Sequence, residues 1–187
     1  MSLLITRHGQ TDWNLRRKVQ GKSNIGLNEV GIEQAEKLAK KLANEPIDLI
    51  ICSPLLRARQ TAEIINKNRN IPIIYDNRIS EIDYGEFEGM ELADFNLSAF
   101  WNYYNNNKYL RAENIKEFFK RVYDFIDKQA TEQSEKNILL VAHGGISIAV
   151  NCYFNGVPAD GVVLKMGLHN CEYTKYEFQR KLNYIER

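Results

Sequence analysis

The sequence predicts an α/β protein, a three-layer α/β/α sandwich built on a mostly parallel central sheet. Three observations carry that expectation. Short apolar runs at 3–6, 48–52, 71–75 and 137–142 have the length of buried strands. Stretches with helical spacing separate them, so strand and helix alternate along the chain. Two of the runs also end on the same junction, a histidine followed at once by glycine, at His8-Gly9 and His143-Gly144. Open α/β sheets bind ligands outside the carboxyl ends of their strands, where both histidines would then lie.

Taken in order, Leu3-Leu4-Ile5-Thr6 passes into Arg7-His8-Gly9-Gln10-Thr11, with Gly9 free to turn the backbone sharply. On its own this is weak evidence of function, because a lone histidine at a strand end is more often structural. The basic stretch Arg16-Arg17-Lys18 reads either as a solvated face or as an electropositive lip for an anion. Asn28 suits the N-cap of a helix with Ile32, Ala35, Leu38, Ala39 and Leu42 on one stripe, closed off by Pro46. After the strand at 48–52, Ser53 suits an N-cap and Pro54 a first helical position. Arg57 then falls in the first turn, where free N–H groups and the helix dipole already favour anions; a surface ion pair is the alternative.

The third strand, 71–75, carries Pro72 and is expected near the sheet edge. The glycine-punctuated acidic loop 81–89 is either simply solvated or delivers a carboxylate to a cationic pocket. The stretch 91–112 is rich in aromatics and asparagines and reads as an excursion of short helices and loops, a lid that shapes a substrate pocket. Ile115, Phe118, Phe119, Val122, Phe125 and Ile126 recur at helical spacing, predicting a long amphipathic helix at about 113–130. A strand at 137–142, a helix at 146–154 and a final strand at 172–178 complete the chain. With no repeat and no linker, 1–187 reads as a single domain.

Composition narrows the function classes. A chain of 187 residues can bury a core without staples, and a formal net charge of +1 gives no global pull toward nucleic acid or a membrane surface. No transmembrane run and no signal peptide are expected. Cys52, Cys152 and Cys171 are odd in number and lack metal-ligand spacing, which suits free thiols in a reducing cytoplasm. Any anion site must therefore be local, and no metal and no cofactor are called for.

Such a site assembles itself from the strand ends. His8 with Arg7, Arg57 on a helix start and His143 would share one rim of the sheet, and Glu81 could reach it from the acidic loop. Two arginines and two histidines around one point describe a phosphate pocket, and a carboxylate at its edge could donate a proton.

At this point the chain resembles the histidine phosphatase (phosphoglycerate mutase-like) superfamily. The resemblance lies in Arg7-His8-Gly9-Gln10-Thr11 with Trp13-Asn14, Gln20-Gly21, the run from Ser53 to Ala62 through Pro54-Leu55-Leu56-Arg57, Glu81 four residues before Gly85, and Ala142-His143-Gly144. It implies a phosphoglycerate mutase-like fold and a transient phosphohistidine on His8. Arg7, Asn14, Gln20, Gly21, Arg57, His143 and Gly144 would bind the phosphoryl group, and Glu81 would protonate the leaving oxygen. Neighbouring arginines should lower the pKa of His8, and Glu81 needs a raised one or a proton brought by the substrate. The short span from Glu81 to His143 resembles the small phosphatase branch, acting on small-molecule phosphate esters. A bisphosphoglycerate-dependent mutase is the alternative, and a non-catalytic phospho-ligand module a third. Gly26-Leu27-Asn28 and Asn24 depart from the family's usual Pro-Leu-Thr and Asp. His169 matches no catalytic position and is expected to be structural or pocket-lining.

Overall fold

The computed structural model describes residues 2–105 and 109–178; residues 106–108 of the predicted excursion and 179–187 of the predicted domain lie outside the described residues. One sheet is built from β1 (Ser2–Arg7), β2 (Leu49–Cys52), β3 (Ile73–Tyr75), β4 (Ile138–Ala142) and β5 (Tyr173–Glu177), in the order β3-β2-β4-β1-β5. Strands β1 to β4 run parallel and β5 pairs antiparallel with β1. The sheet is mostly parallel, as expected, and the strand after Pro72 lies at its edge.

The apolar runs are explained by the two layers that cover them. Leu4, Ile50, Cys52, Leu139 and Val141 turn to one face, against α2 (Glu29–Lys41) and α3 (Leu56–Asn66) through Leu38, Ala58, Ala62 and Ile65. Leu3, Ile5, Leu49, Ile51, Ile138 and Leu140 turn to the other, against α5 (Ile115–Glu132) and α6 (Gly144–Asn155). Successive residues on a strand point to opposite faces, so a sheet covered on both sides needs continuous hydrophobicity.

All six apolar residues predicted for the long helix are buried in α5. Each contributes roughly 1.5–3 kcal/mol by leaving water. That exceeds the few tenths of a kcal/mol that a phenylalanine or valine costs in helix propensity. Packing holds α5 in place.

Two local expectations are corrected. Ile32 is 41% exposed instead of joining the buried stripe of α2. The preceding residue, Gly31, takes the inward position, and a Cβ there would come within 2.8 Å of Gln10 N. The helix meets the turn after β1 backbone to backbone. Ser53 and Pro54 lie ahead of α3, whose N-cap is Leu55; the hydroxyl of Ser53 accepts from Leu55 N at 3.3 Å and also meets His143. The first turn is capped from afar, by Asn24 Oδ1 accepting from Leu56 N at 2.7 Å. The described part of the excursion is short helix and loop, as its composition suggests. It holds the single-turn helix α4 (Leu97–Phe100), and Phe95, Phe100 and Trp101 are buried in the core that covers the sheet.

Candidate active site

Strands β1, β2 and β4 are neighbours, and their carboxyl ends extend the pairing by one step. His8 N donates to Ala142 O at 3.0 Å, and Ser53 N donates to Val141 O at 3.0 Å. The residues that follow each strand are thereby set side by side. The His8 and His143 rings lie 5.3 Å apart, edge to face, and both are buried.

The turn after β1 fixes the tautomer of His8. Its Nδ1 lies 2.7 Å from Gly9 O, an acceptor only, so Nδ1 carries the proton and Nε2 presents a lone pair. Arg57 Nε donates to that Nε2 at 3.1 Å. Arg57 is itself 1% exposed, and Nη1 and Nη2 donate to Ser23 O and Gly21 O at 2.8 and 2.7 Å. Gly21 thus turns a carbonyl toward Arg57 and holds the guanidinium, a different task from the phosphate contact expected of it.

The remaining predicted residues gather on the same side. A short helix, α1 (Asp12–Leu15), starts with a capping box in which Thr11 and Asn14 bond each other's backbone N–H, which fixes the Asn14 amide. Asn14 Nδ2 and Thr11 Oγ1 donate to Gln20 Oε1 at 3.2 and 2.9 Å. Arg7 Nη1 donates to Leu168 O at 3.2 Å, and its guanidinium lies over Gly144, where a Cβ would stand in ordinary contact at 3.5 Å from Arg7 Cζ. Glu81 is buried beside the start of α6. Its Oε2 accepts from Gly145 N at 3.0 Å and its Oε1 from Ile82 N at 2.9 Å.

These groups border a cleft of about 340 Å³ lined by Arg7, Asn14, Gln20, Glu81 and Gly144 on its polar side and by Trp101, Leu97 and Ile148 among its apolar residues. His169 lines it too, which fits its expected place at the pocket wall. Of the basic stretch, Arg16 and Arg17 are exposed while Lys18 reaches the cleft and pairs with Glu91 at 3.7 Å.

Electrostatics separate the titrating groups. Burial, then the charges of Arg57 and Arg7, hold His8 well below the ordinary imidazole range. The same charges, with burial first and His8 and Arg121 also contributing, keep His143 neutral. Burial pushes the Glu81 carboxyl up, against the opposing pull of its two backbone bonds, Arg57 and Arg7. Arg57 is lowered to about 10 by burial and stays charged at neutral pH. Desolvation is thus the main cause for both His8 and Glu81, where the sequence offered only neighbouring charge.

Among the described residues, the buried side-chain polar atoms left without a partner are Arg7 Nε, Gln20 Nε2 and His143 Nδ1. An unpaired buried polar group costs about 1–3 kcal/mol, so each of the three is a candidate donor to an acceptor from outside the chain. The described residues contain no group of three or more His, Cys, Asp or Glu able to hold a metal, and no helix long and apolar enough to cross a membrane.

The sequence profile of the histidine phosphatase superfamily (branch 1) matches residues 3–187. The chain belongs to that superfamily. Its histidine phosphatase relatives include the uncharacterized phosphatase PhoE of Bacillus subtilis, 38% identical over 143 residues, 76% of this chain and 72% of its own. The Proteus mirabilis protein named "Probable phosphoglycerate mutase GpmB" is 29% identical over 188 residues, 96% of this chain and 86% of its own. The alpha-ribazole phosphatase of Shigella flexneri superposes with a TM-score of 0.84 at 27% identity, over 96% of this chain and 92% of that one. Family and phosphatase-named relatives together mark the chain as an enzyme of the phosphoric monoester hydrolase type.

This histidine phosphatase also uses residues that sequence reasoning passed over. Ser53 Oγ lies 2.6 Å from His143 Nε2, which leaves Nδ1 as the atom without a partner. Asn170 Nδ2 donates to His8 O at 2.9 Å, and Thr61 Oγ1 accepts from Gly9 N at 3.1 Å. Trp101 Nε1 donates to Tyr84 OH at 2.8 Å, fixing the indole at the cleft wall. Ser53, Thr61, Tyr84 and Trp101 sat in stretches already singled out, without these partners; Asn170 lay outside them all and meets the site through long-range packing.

Proposed function

We propose that the chain is a metal-independent phosphomonoesterase that hydrolyses small phosphate esters through a phosphohistidine on His8. The observation that supports it best is the pairing of an Nδ1-protonated imidazole with Arg57 Nε at its lone pair, beside three buried polar atoms awaiting an acceptor.

In this reading the phosphoryl group enters between His8 and the cleft, and Arg57 transfers its Nε–H from the imidazole to a phosphoryl oxygen. Arg7 Nε, Gln20 Nε2 and His143 Nδ1 are the other donors, with Asn14 and the Gly144 N-terminus of α6 beside them. Nε2 attacks phosphorus, the P–O bond to the leaving group breaks, and Glu81 gives its proton to the departing oxygen. Water then attacks the phosphohistidine, returns a proton to Glu81, and releases phosphate and free His8. Fixed donors aimed at the transferring oxygens are commonly the largest catalytic contribution in such sites. The directions suit these roles: burial raises the Glu81 carboxyl toward its acid form and lowers His8 toward its neutral one.

A mutase would need the same chemistry plus a second anchor for the rest of a bisphosphorylated ligand. Away from the phosphoryl corner the cleft offers Lys18, already paired with Glu91, and His169, while Val19, Leu92, Leu97 and Leu168 fill much of the wall. That favours the hydrolase. The 91–112 stretch is assigned the part of a substrate-shaping wall, through Leu92, Leu97 and Trp101. The three cysteines are free thiols, and we place the protein in a reducing cytoplasm on that ground. The deciding experiment is phosphate release from p-nitrophenyl phosphate in excess EDTA, with acid-labile radiolabel on the wild-type enzyme and none on His8→Ala. Turnover surviving that substitution overturns the reading, and turnover-free binding of phosphate esters by the intact protein would favour the non-catalytic module.

A further inference from the structure

We propose that the Arg121–Glu113 ion pair is a positioning device for Glu81, fixing the loop that carries the acid at the reach proton transfer requires. The proposal rests on the reading of Glu81 as the acid. Arg121 lies on α5 and Glu113 just ahead of it, with side chains 22% and 16% exposed. The pair is bidentate: Nε donates to Glu113 Oε1 at 2.6 Å and Nη2 to Oε2 at 2.9 Å.

What distinguishes it from an ordinary surface pair is where its remaining bonds go. Arg121 Nη1 donates to Arg78 O at 2.6 Å and Nη2 to Glu81 O at 3.3 Å. Glu113 Oε2 accepts from Asp83 N at 3.1 Å, and Glu113 N donates to Asp83 O at 2.8 Å. The main chain is therefore tied before, at and after Glu81 to one pair of side chains. The guanidinium lies 4.6 Å from the ring centre of Phe118, a core residue, so the anchor does not swing. Neither side chain lines the cleft that holds Glu81.

With both side chains mostly buried and bidentate, the pair is held more firmly than an exposed surface pair. A general acid must come within about 2.6–3.2 Å of the oxygen it protonates. A displacement of roughly 1 Å costs on the order of a hundredfold in rate. The Glu81 carboxylate is held at its own end by Ile82 N and Gly145 N, and the clamp holds the other end of the lever.

The test uses kcat/KM, which reports the steps through P–O cleavage, on esters whose leaving groups differ in basicity. A dinitrophenolate departs without a proton; an alkoxide does not. Arg121→Met is expected to lower kcat/KM for glycerol phosphate by about tenfold to a hundredfold and to leave dinitrophenyl phosphate nearly unchanged. Glu113→Gln, which keeps the shape and part of the bonding, should show the same gradient in weaker form and decides the matter if the arginine variant does not fold. A uniform loss across the series, or no loss, overturns the positioning role. Glu81→Gln is run beside them. A steep gradient there with flat clamp variants removes the clamp alone, whereas a flat Glu81→Gln removes the acid assignment and the clamp with it.

Discussion

Gly145→Ala is the most informative single change at this site, because it adds one methyl group and removes no hydrogen bond. A Cβ at that position would stand 2.7 Å from Trp101 Cη2 and closer still to Glu81 Oε1. Ordinary contact begins near 3.4 Å, so the carboxylate must withdraw by about 1 Å. Neither neighbour yields freely: Trp101 is buried with its Nε1 bonded to Tyr84, and Glu81 accepts two backbone N–H groups. Overpacking of this kind costs about 1–3 kcal/mol. Gly145 is only the second residue of α6, so helix propensity offsets little of that. The net destabilisation is then at most about 3 kcal/mol, a fall in Tm of no more than roughly 12 °C for a chain this size. The catalytic loss should be larger in proportion, on the order of a hundredfold in kcat/KM for an alkyl phosphate. Competitive inhibition by inorganic phosphate reads the phosphoryl corner separately and should hold, because Arg57, His143 and Asn14 are untouched. Wild-type turnover in the folded variant would refute the placement of Glu81, and weakened phosphate inhibition would show that the corner and the acid are not separable.

Two more outcomes can be checked alongside. Arg57→Met removes a charge that lowers both His8 and Glu81, so both pKa values climb and both limbs of the kcat/KM–pH profile move to higher pH. Catalysis should fall about a hundredfold to a thousandfold with it, and a profile that stays in place or moves to lower pH would contradict the electrostatic account. Ser53→Ala deprives His143 Nε2 of its partner and should cost roughly 1–3 kcal/mol in stability. It should also raise the inhibition constant for phosphate, as the imidazole loses the contact that aims Nδ1; an unchanged constant would detach Ser53 from the site.

Much of this was legible before any coordinates. The continuous apolar runs could only be strands covered on both faces, and Leu4 and Leu3 do face opposite layers. The His-Gly junctions marked where those strands leave the sheet; Arg57 and His143 arrive beside His8, and Glu81 beside the start of α6. What stayed hidden was non-local. Ser53-Pro54 carries the local chemistry of a helix start, but a histidine ninety positions later claims the hydroxyl. Ile32 fits the helical stripe, yet the neighbouring glycine is pressed against another backbone and sets the rotation of α2. Arg121 and Glu113 look like the usual charges of an amphipathic helix, because their carbonyl partners belong to a distant loop. The high pKa of Glu81 follows mainly from burial, which no pattern of residue types displays.

Glu88 ties two halves of the molecule together. From the acidic loop its carboxylate accepts from Lys22 N and Ser23 N at 2.6 and 2.7 Å and from the Ser23 hydroxyl. The segment so gripped is the one whose carbonyls hold Arg57. His8 and Glu81 therefore hang from a shared fastening, and a lengthened acidic loop would be felt at the imidazole it never touches. Substrate preference can drift along the apolar wall without disturbing that linkage, whereas any remodelling between Asp83 and Glu88 has to carry both halves of the reaction at once.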